Sequence, residues 1–169
     1  MPSFVGHFTS PLATRIARVL PPRLLVAGLV ASMLPDLDTI GALFGVERDT
    51  LFAHRGITHS FAFALVVAGI AMLGSNWLQV SRPRAGLFVL ACALSHPLLD
   101  LLTNGGPGVM IGWPLSDARV FAPWRPIEVS PLGVGFFSAR GLTVVASELV
   151  WIVTPSLLIA FAARRRATQ

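Results

Sequence analysis

The run F-A-F-A-L-V-V-A-G-I-A-M-L-G-S-N-W-L-Q-V at residues 61–80 contains no charged side chain. As a helix rising about 1.5 Å per residue it is about 30 Å long, the thickness of a bilayer's hydrocarbon core. The pattern repeats on both sides of it. Residues 23–44 are apolar apart from Pro35-Asp36-Leu37-Asp38, and residues 85–103 are apolar apart from His96 and Asp100. Residues 141–163 form a last span, mildly broken at Pro155 and closed by Arg164-Arg165-Arg166. Ahead of these, residues 4–20 form a short amphiphilic segment that stops at Pro21-Pro22, a pair no helix interior accommodates easily. The fold predicted is an all-α, membrane-embedded helical bundle with about four spanning or near-spanning helices and a short N-terminal helix.

The domain organisation expected is a single membrane domain over 1–169. Residues 1–22 supply the short helix and Pro-Pro turn, and residues 104–140 a long Gly/Pro-rich loop before the last helix. That loop holds six glycines and five prolines together with Trp113 and Trp124. A connection of that length is usually functional or disordered, and its aromatic content points to a loop that lies at the interface or caps a site. Residues 45–60 are polar, and Ser81-Arg82-Pro83-Arg84 forms the other turn.

Composition excludes other classes. Hydrophobic residues make up 54% and charged residues 12%, with a mean hydropathy of +0.72, whereas a soluble domain carries about 25% charge. An ordinary cytosolic enzyme and a disordered chain are thereby set aside. The net charge of +5 comes with all 13 basic residues being arginine. They sit singly or in small groups beside apolar runs, where they fix membrane orientation, so no nucleic-acid partner is expected. Cys92 is the single cysteine, which rules out an intrachain disulfide and a cysteine-only metal site. The N-terminus does not read as a standard signal peptide, because the first basic residue is Arg15. The orientation expected is Arg15, Arg18, Arg23, Arg82, Arg84 and Arg164–Arg166 towards the cytoplasm, with the 45–60 and 104–140 loops on the opposite face. Arg48, Arg55, Arg119, Arg125 and Arg140 then fall on the positive-poor side and need partners there.

The polar residues within the apolar runs carry the chemistry. His96 and Asp100 are four apart, the spacing that stacks two side chains on one helical face. Asp36 and Asp38 flank Leu37 beside Pro35, which predicts a locally unwound turn. His54 and His59 lie five apart across Gly56, with Thr58 expected to cap the following helix. His7 lies 14 residues before Pro21, and Asp36 lies 14 after Pro22. A helical hairpin bent at the two prolines brings them level, about 21 Å from the bend. Four segments thus converge on one membrane depth. Each residue alone also reads as a hydrogen-bonded core side chain or a helix cap. As a set, carboxylates in a spanning segment are costly unless paired or metal-bound. Imidazole with carboxylate suits zinc, manganese or iron, and seven candidate ligands suit one or two ions, a pair of which activates water and clamps ester oxygens.

Val5-Gly6-His7, Leu34-Pro35-Asp36-Leu37-Asp38, His54-Arg55-Gly56-Ile57-Thr58-His59-Ser60 and Ser95-His96-Pro97-Leu98-Leu99-Asp100 resemble the motifs of the inner-membrane metal-dependent hydrolase family, some members of which are under damage-response regulation. Trp113-Pro114-Leu115-Ser116-Asp117, Pro123-Trp124-Arg125-Pro126 and Val129-Ser130-Pro131 extend the likeness, which covers most of residues 5–131. One departure is Ala53, where the family pattern has glycine. The resemblance implies a multi-pass protein of the bacterial inner membrane. Its His/Asp pattern is distantly similar to that of the zinc phospholipase C and single-strand nuclease group. By the same resemblance His7, Asp36, Asp38, His54, His59, His96 and Asp100 are metal ligands.

The function expected is a membrane-bound metal-dependent hydrolase acting on a phosphoester or other amphiphilic ester, with zinc as the first choice of divalent metal and manganese as the second. The lipid bilayer is its partner, and a phospholipid or similar amphiphile its expected substrate. Asp36 or Asp38 is the expected general base, and Arg55 is expected to hold a phosphate oxygen through its fork of donors. Arg125 is a weaker candidate for that role, and Asp117 a candidate partner behind the ligands. Two other classes are open to the same residues: a metal or proton transporter with the His/Asp set as a relay, and a structural membrane protein whose polar cluster specifies packing.

Overall fold

The computed structural model describes residues 1–47, 50–131 and 133–167, so Arg48 of the polar segment lies outside the described residues. It is a helical bundle. Helix α1 (Phe4–Ala17) precedes α2 (Pro22–Met33), which runs on as a 3-10 segment over Leu34–Phe44. Helix α3 (Phe61–Leu73) is followed by the single turn α4 (Ser75–Leu78) and by α5 (Arg82–Leu101). After the long loop come α6 (Ala139–Glu148) and α7 (Thr154–Ala167), joined by a π-turn at Leu149–Val153. Among the described residues, three continuous stretches are long and apolar enough to cross a membrane: Pro22–Gly41, Arg82–Leu101 and Ala139–Arg166. The shorter apolar helix Phe61–Leu73 stands beside them.

The 61–80 stretch is therefore less of a helix than its composition suggests. Gly74, Ser75 and Asn76 are poor helix formers, and the chain breaks at Gly74 before Gln79 takes a left-handed conformation (φ 62°). The expected cap also moves. Ile57–His59 forms its own 3-10 turn, and Ser60 is the N-cap of α3, accepting from the Phe63 amide at 3.0 Å. The Thr58 hydroxyl is left free for another partner.

Small residues let the spans approach closely, as is usual between membrane helices. Ala31 of α2, Ala64 of α3 and Val89, Cys92 and Ala93 of α5 form one buried cluster. A Cβ on Gly28 would lie 2.5 Å from the Phe88 ring, so only glycine admits that ring. Pro21 and Pro22 turn the chain between α1 and α2, and Pro22 opens α2 where its missing N–H costs nothing. The consequence for function is polarity along the bundle axis. The start of α1, the end of the α2 span, the start of α3 and the end of α5 meet at one end. The end of α1 and the starts of α2 and α5 meet at the other, where Arg23 bonds the Trp77 carbonyl and Arg84 the Val19 carbonyl.

The 104–140 loop folds back over the first of these ends. Two isolated bridges, Thr103 with Ile127 and Val109 with Val120, shape it, and a 3-10 turn forms at Gly133–Phe137. The Met110 amide bonds the Arg55 carbonyl, and the Phe61 amide bonds the Ile111 carbonyl. The loop is thereby pinned onto the histidine-bearing segment.

Candidate metal centre

Pro35 lacks a donor for an α-helical bond, and the chain tightens at that point into the 3-10 segment. With three residues per turn, Asp36 and Asp38 point in different directions. Asp36 faces the ends of α3 and α5, with Oδ1 3.3 Å from His96 Nε2 and 3.6 Å from His59 Nε2. Asp38 faces the 54–59 loop. Its Oδ1 lies 2.8 Å from His54 Nδ1, and its Oδ2 accepts from the Thr58 hydroxyl (2.7 Å) and the Arg55 amide (3.1 Å). His59 Nδ1 lies 3.1 Å from the same oxygen.

His59 and His96 meet at the centre. Their Nε2 atoms are 3.1 Å apart, and Asp100 Oδ2 is 3.2 Å from His59 Nε2 and 3.8 Å from His96 Nε2. His96 Nδ1 lies 2.7 Å from the Ser32 carbonyl, an acceptor only, so this nitrogen carries the proton and Nε2 presents its lone pair. His7 stacks on His96, with ring centroids 3.7 Å apart and planes 11° from parallel. His7 thus arrives from α1 at the end of the bundle that the hairpin arithmetic anticipates, and its ring stacks on His96 of α5. All of His7, His59, His96 and Asp100 are fully buried.

Both nitrogens of His7, both carboxylate oxygens of Asp36 and Asp100 Oδ2 are buried without a hydrogen-bond partner. Leaving such groups bare is costly, and a cation held by nitrogens and carboxylates together would satisfy them. The spacing agrees. Metal–ligand bonds of about 2.0–2.1 Å arranged tetrahedrally place donor atoms about 3.3 Å from one another. The distances of Asp36 Oδ1 and Asp100 Oδ2 from the His59 and His96 Nε2 atoms, and of those two nitrogens from each other, run from 3.1 to 3.8 Å. Among the described residues, three groupings could hold an ion: His7 with His96 and Asp100, Asp36 with His59 and His96, and Asp38 with His54 and His59. Burial disfavours a charged His59, but the carboxylates of Asp100, Asp36 and Asp38 outweigh it and push the pKa up to about 10.

The arginines on this side have identifiable partners. Arg55 is fully buried at a positive φ of 65°. Its guanidinium donates to Asp100 Oδ1 (3.1 Å), Thr103 Oγ1 (2.9 Å) and the carbonyls of Gly105 (3.2 Å) and Pro107 (2.8 Å). Arg119 donates to the carbonyls of His54, Gly108 and Thr50, clamping the histidine loop. Arg140 pairs with Glu128 at 2.6 Å. Arg125 lies 4.8 Å over the Phe121 ring and is exposed. Asp117 is exposed beside Arg119 and Thr50, in none of the three ligand groupings.

Two supporting residues escape sequence reasoning. Glu148, fully buried in α6, accepts from both the amide and the hydroxyl of Ser3, the N-cap of α1, and so ties the last span to the helix that carries His7. Arg119 is the other. Neither lies within a motif that carries the candidate ligands, and only the need of the arginines on that side for partners pointed to Arg119.

With this geometry in place, comparison with known proteins gives the lineage. The YdjM inner membrane protein family matches residues 1–167. The chain belongs to that family. It is 42% identical over 164 residues to the inner membrane protein YbcI of Escherichia coli (strain K12), covering 94% of this chain and 95% of that protein. No solved structure matches. Together with the three spans, this makes the chain a multi-pass bacterial inner-membrane protein with a buried His/Asp cluster capable of coordinating a metal.

Proposed function

We propose that this protein is a metal-dependent hydrolase that cleaves a phosphoester or related amphiphilic ester at the membrane surface. The observation that carries the reading is the buried convergence of Asp36 with His59 and His96, and of His96 with His7 and Asp100, at coordination spacing. These residues would hold zinc or manganese. Such an ion supplies Lewis-acid activation of water and a clamp on ester oxygens.

The chain's own residues divide the remaining work. Asp38 has both oxygens engaged by His54, Thr58, His59 and the Arg55 amide, so its part is to orient the two loop histidines. Asp36 would lend Oδ1, which faces His59 and His96, to the ion, leaving Oδ2 to take a proton from water. Arg55 turns its donors to Asp100, Thr103 and two carbonyls, which supports a role in positioning Asp100 instead of holding a phosphate. His54, 23% exposed, marks the accessible side. An apolar groove lined by Phe8, Met33, Leu34 and Leu37, the chain neighbours of His7, Asp36 and Asp38, supports a substrate with a hydrocarbon part. The cluster's position at one end of the spans supports hydrolysis over a mid-membrane relay.

The deep burial of His7, His59, His96 and Asp100 favours a second reading, a closed structural metal site. One assay separates the two. Protein purified in detergent and loaded with zinc or manganese is offered a chromogenic phosphodiester and a short-chain phospholipid. Metal-dependent turnover of either substrate, abolished by chelation and restored by zinc or manganese, supports the hydrolase. A fully loaded, folded protein that turns over neither substrate supports the structural site.

A further inference from the structure

We propose that the arginine end of the bundle is a binding site for the phosphate of an anionic membrane lipid. A cavity of about 750 Å³ there is lined by Arg15, Arg18, Arg84 and Arg164, with Ile16 and Val19 among its apolar walls. The four guanidinium groups come from three places in the chain: the end of α1, the start of α5 and the end of α7. Cations at the ends of α1 and α7 complement the helix dipoles, but Arg84 sits in the first turn of α5, where the dipole opposes it. Its bond to the Val19 carbonyl (3.1 Å) nonetheless holds it against the end of α1. Among the described residues, no carboxylate lies within ion-pairing distance of Arg15, Arg18 or Arg84. Like charges are thus gathered around an open space, an arrangement that an anion relieves.

Phosphate is the anion that fits, because several guanidinium forks can share its oxygens. The surroundings identify the lipid as its source. Val19, 82% exposed, stands at the cavity edge. Arg18 also borders a second cavity of about 580 Å³, whose other walls include Ile159, Ala162 and Ala163 of α7. A phosphate among the arginines therefore has an apolar surface next to it for acyl chains. Basic pockets between helices at the positive side of a membrane are recognised sites for anionic headgroups. This site is separate from the His/Asp cluster. Along α1, Arg15 is about 12 Å from His7, and along α5, Arg84 is about 18 Å from His96.

The test is native mass spectrometry of the full chain in detergent with phosphatidylglycerol, phosphatidylcholine or inorganic phosphate. The result expected is retention of phosphatidylglycerol over phosphatidylcholine, with inorganic phosphate unable to displace it at equal concentration. The Arg15→Gln/Arg84→Gln variant should bind it about twenty-five-fold more weakly, at about fivefold per arginine. The Arg23→Gln/Arg82→Gln variant removes the same charge at the same end outside the cavity and should bind as the wild type does. Because all these side chains lie on the surface, folding is checked by helical circular dichroism, and Arg15→Gln alone is measured if the pair misfolds. Equal weakening in both double variants, no preference over phosphatidylcholine, or displacement by inorganic phosphate would each overturn the proposal.

Discussion

Replacing Arg55 with methionine tests how the centre is built. The guanidinium is fully buried, pairs with a fully buried Asp100 and spans Thr103 and the Gly105 and Pro107 carbonyls. Removing one partner of a buried ion pair costs about 3–5 kcal/mol, and His59, 3.2 Å from the other Asp100 oxygen, sets the loss towards the low end of that range. The left-handed backbone at residue 55 is costly for methionine as for arginine, so it cancels in the comparison. At about 2–4 °C per kcal/mol for a chain of this size, the thermal midpoint should fall by about 6–20 °C. Arg55→Lys keeps the charge but cannot reach four acceptors, and should fall between the two. The assay is thermal unfolding in detergent followed by circular dichroism, with metal content measured on the same samples. An Arg55→Met midpoint within a degree of wild type, with unchanged metal and lost turnover, would refute this reasoning and return Arg55 to the substrate.

Gly56 is also constrained by sterics. A Cβ there would lie 2.0 Å from the Leu51 carbonyl oxygen and 2.7 Å from that of Ala53. Gly56→Ala should displace the loop between His54 and His59, costing at least about 1–3 kcal/mol, and reduce metal content although no ligand is touched, as elemental analysis would show. Glu148→Gln leaves one acceptor where the amide and hydroxyl of Ser3 need two. It should cost about 1–3 kcal/mol and, by loosening α1 and His7, weaken metal binding about tenfold, measured by chelator competition.

Much of this was legible in the residues. Uncharged runs separated by arginine turns spell out a membrane bundle, because nothing else accommodates so little polar surface. His96 with Asp100, and the kink at Pro35, are local geometry, and local geometry reads well from spacing. The convergence of His7 with the downstream histidines was legible from the two prolines, which fix where the chain must reverse. Less was legible where long-range contacts decide. Gly74 ends α3 early, and Ser60 takes the cap from Thr58 because an additional 3-10 turn intervenes. The partition of Asp36 from Asp38 depends on 3-10 pitch, which places two carboxylates two residues apart on different sides. Glu148 and Arg119 act across 145 and 65 residues respectively, distances at which no motif spacing operates.

The central claim is that the His/Asp cluster binds a divalent metal, and its direct test is elemental analysis of detergent-purified protein expressed with added metal. Wild type is compared with His59→Ala and Asp36→Ala, each checked for folding. The account predicts one or two equivalents of zinc or manganese in the wild type and loss of the ion from both variants. Folded wild-type protein that carries no metal, and takes up none when zinc, manganese or iron is offered, would contradict it.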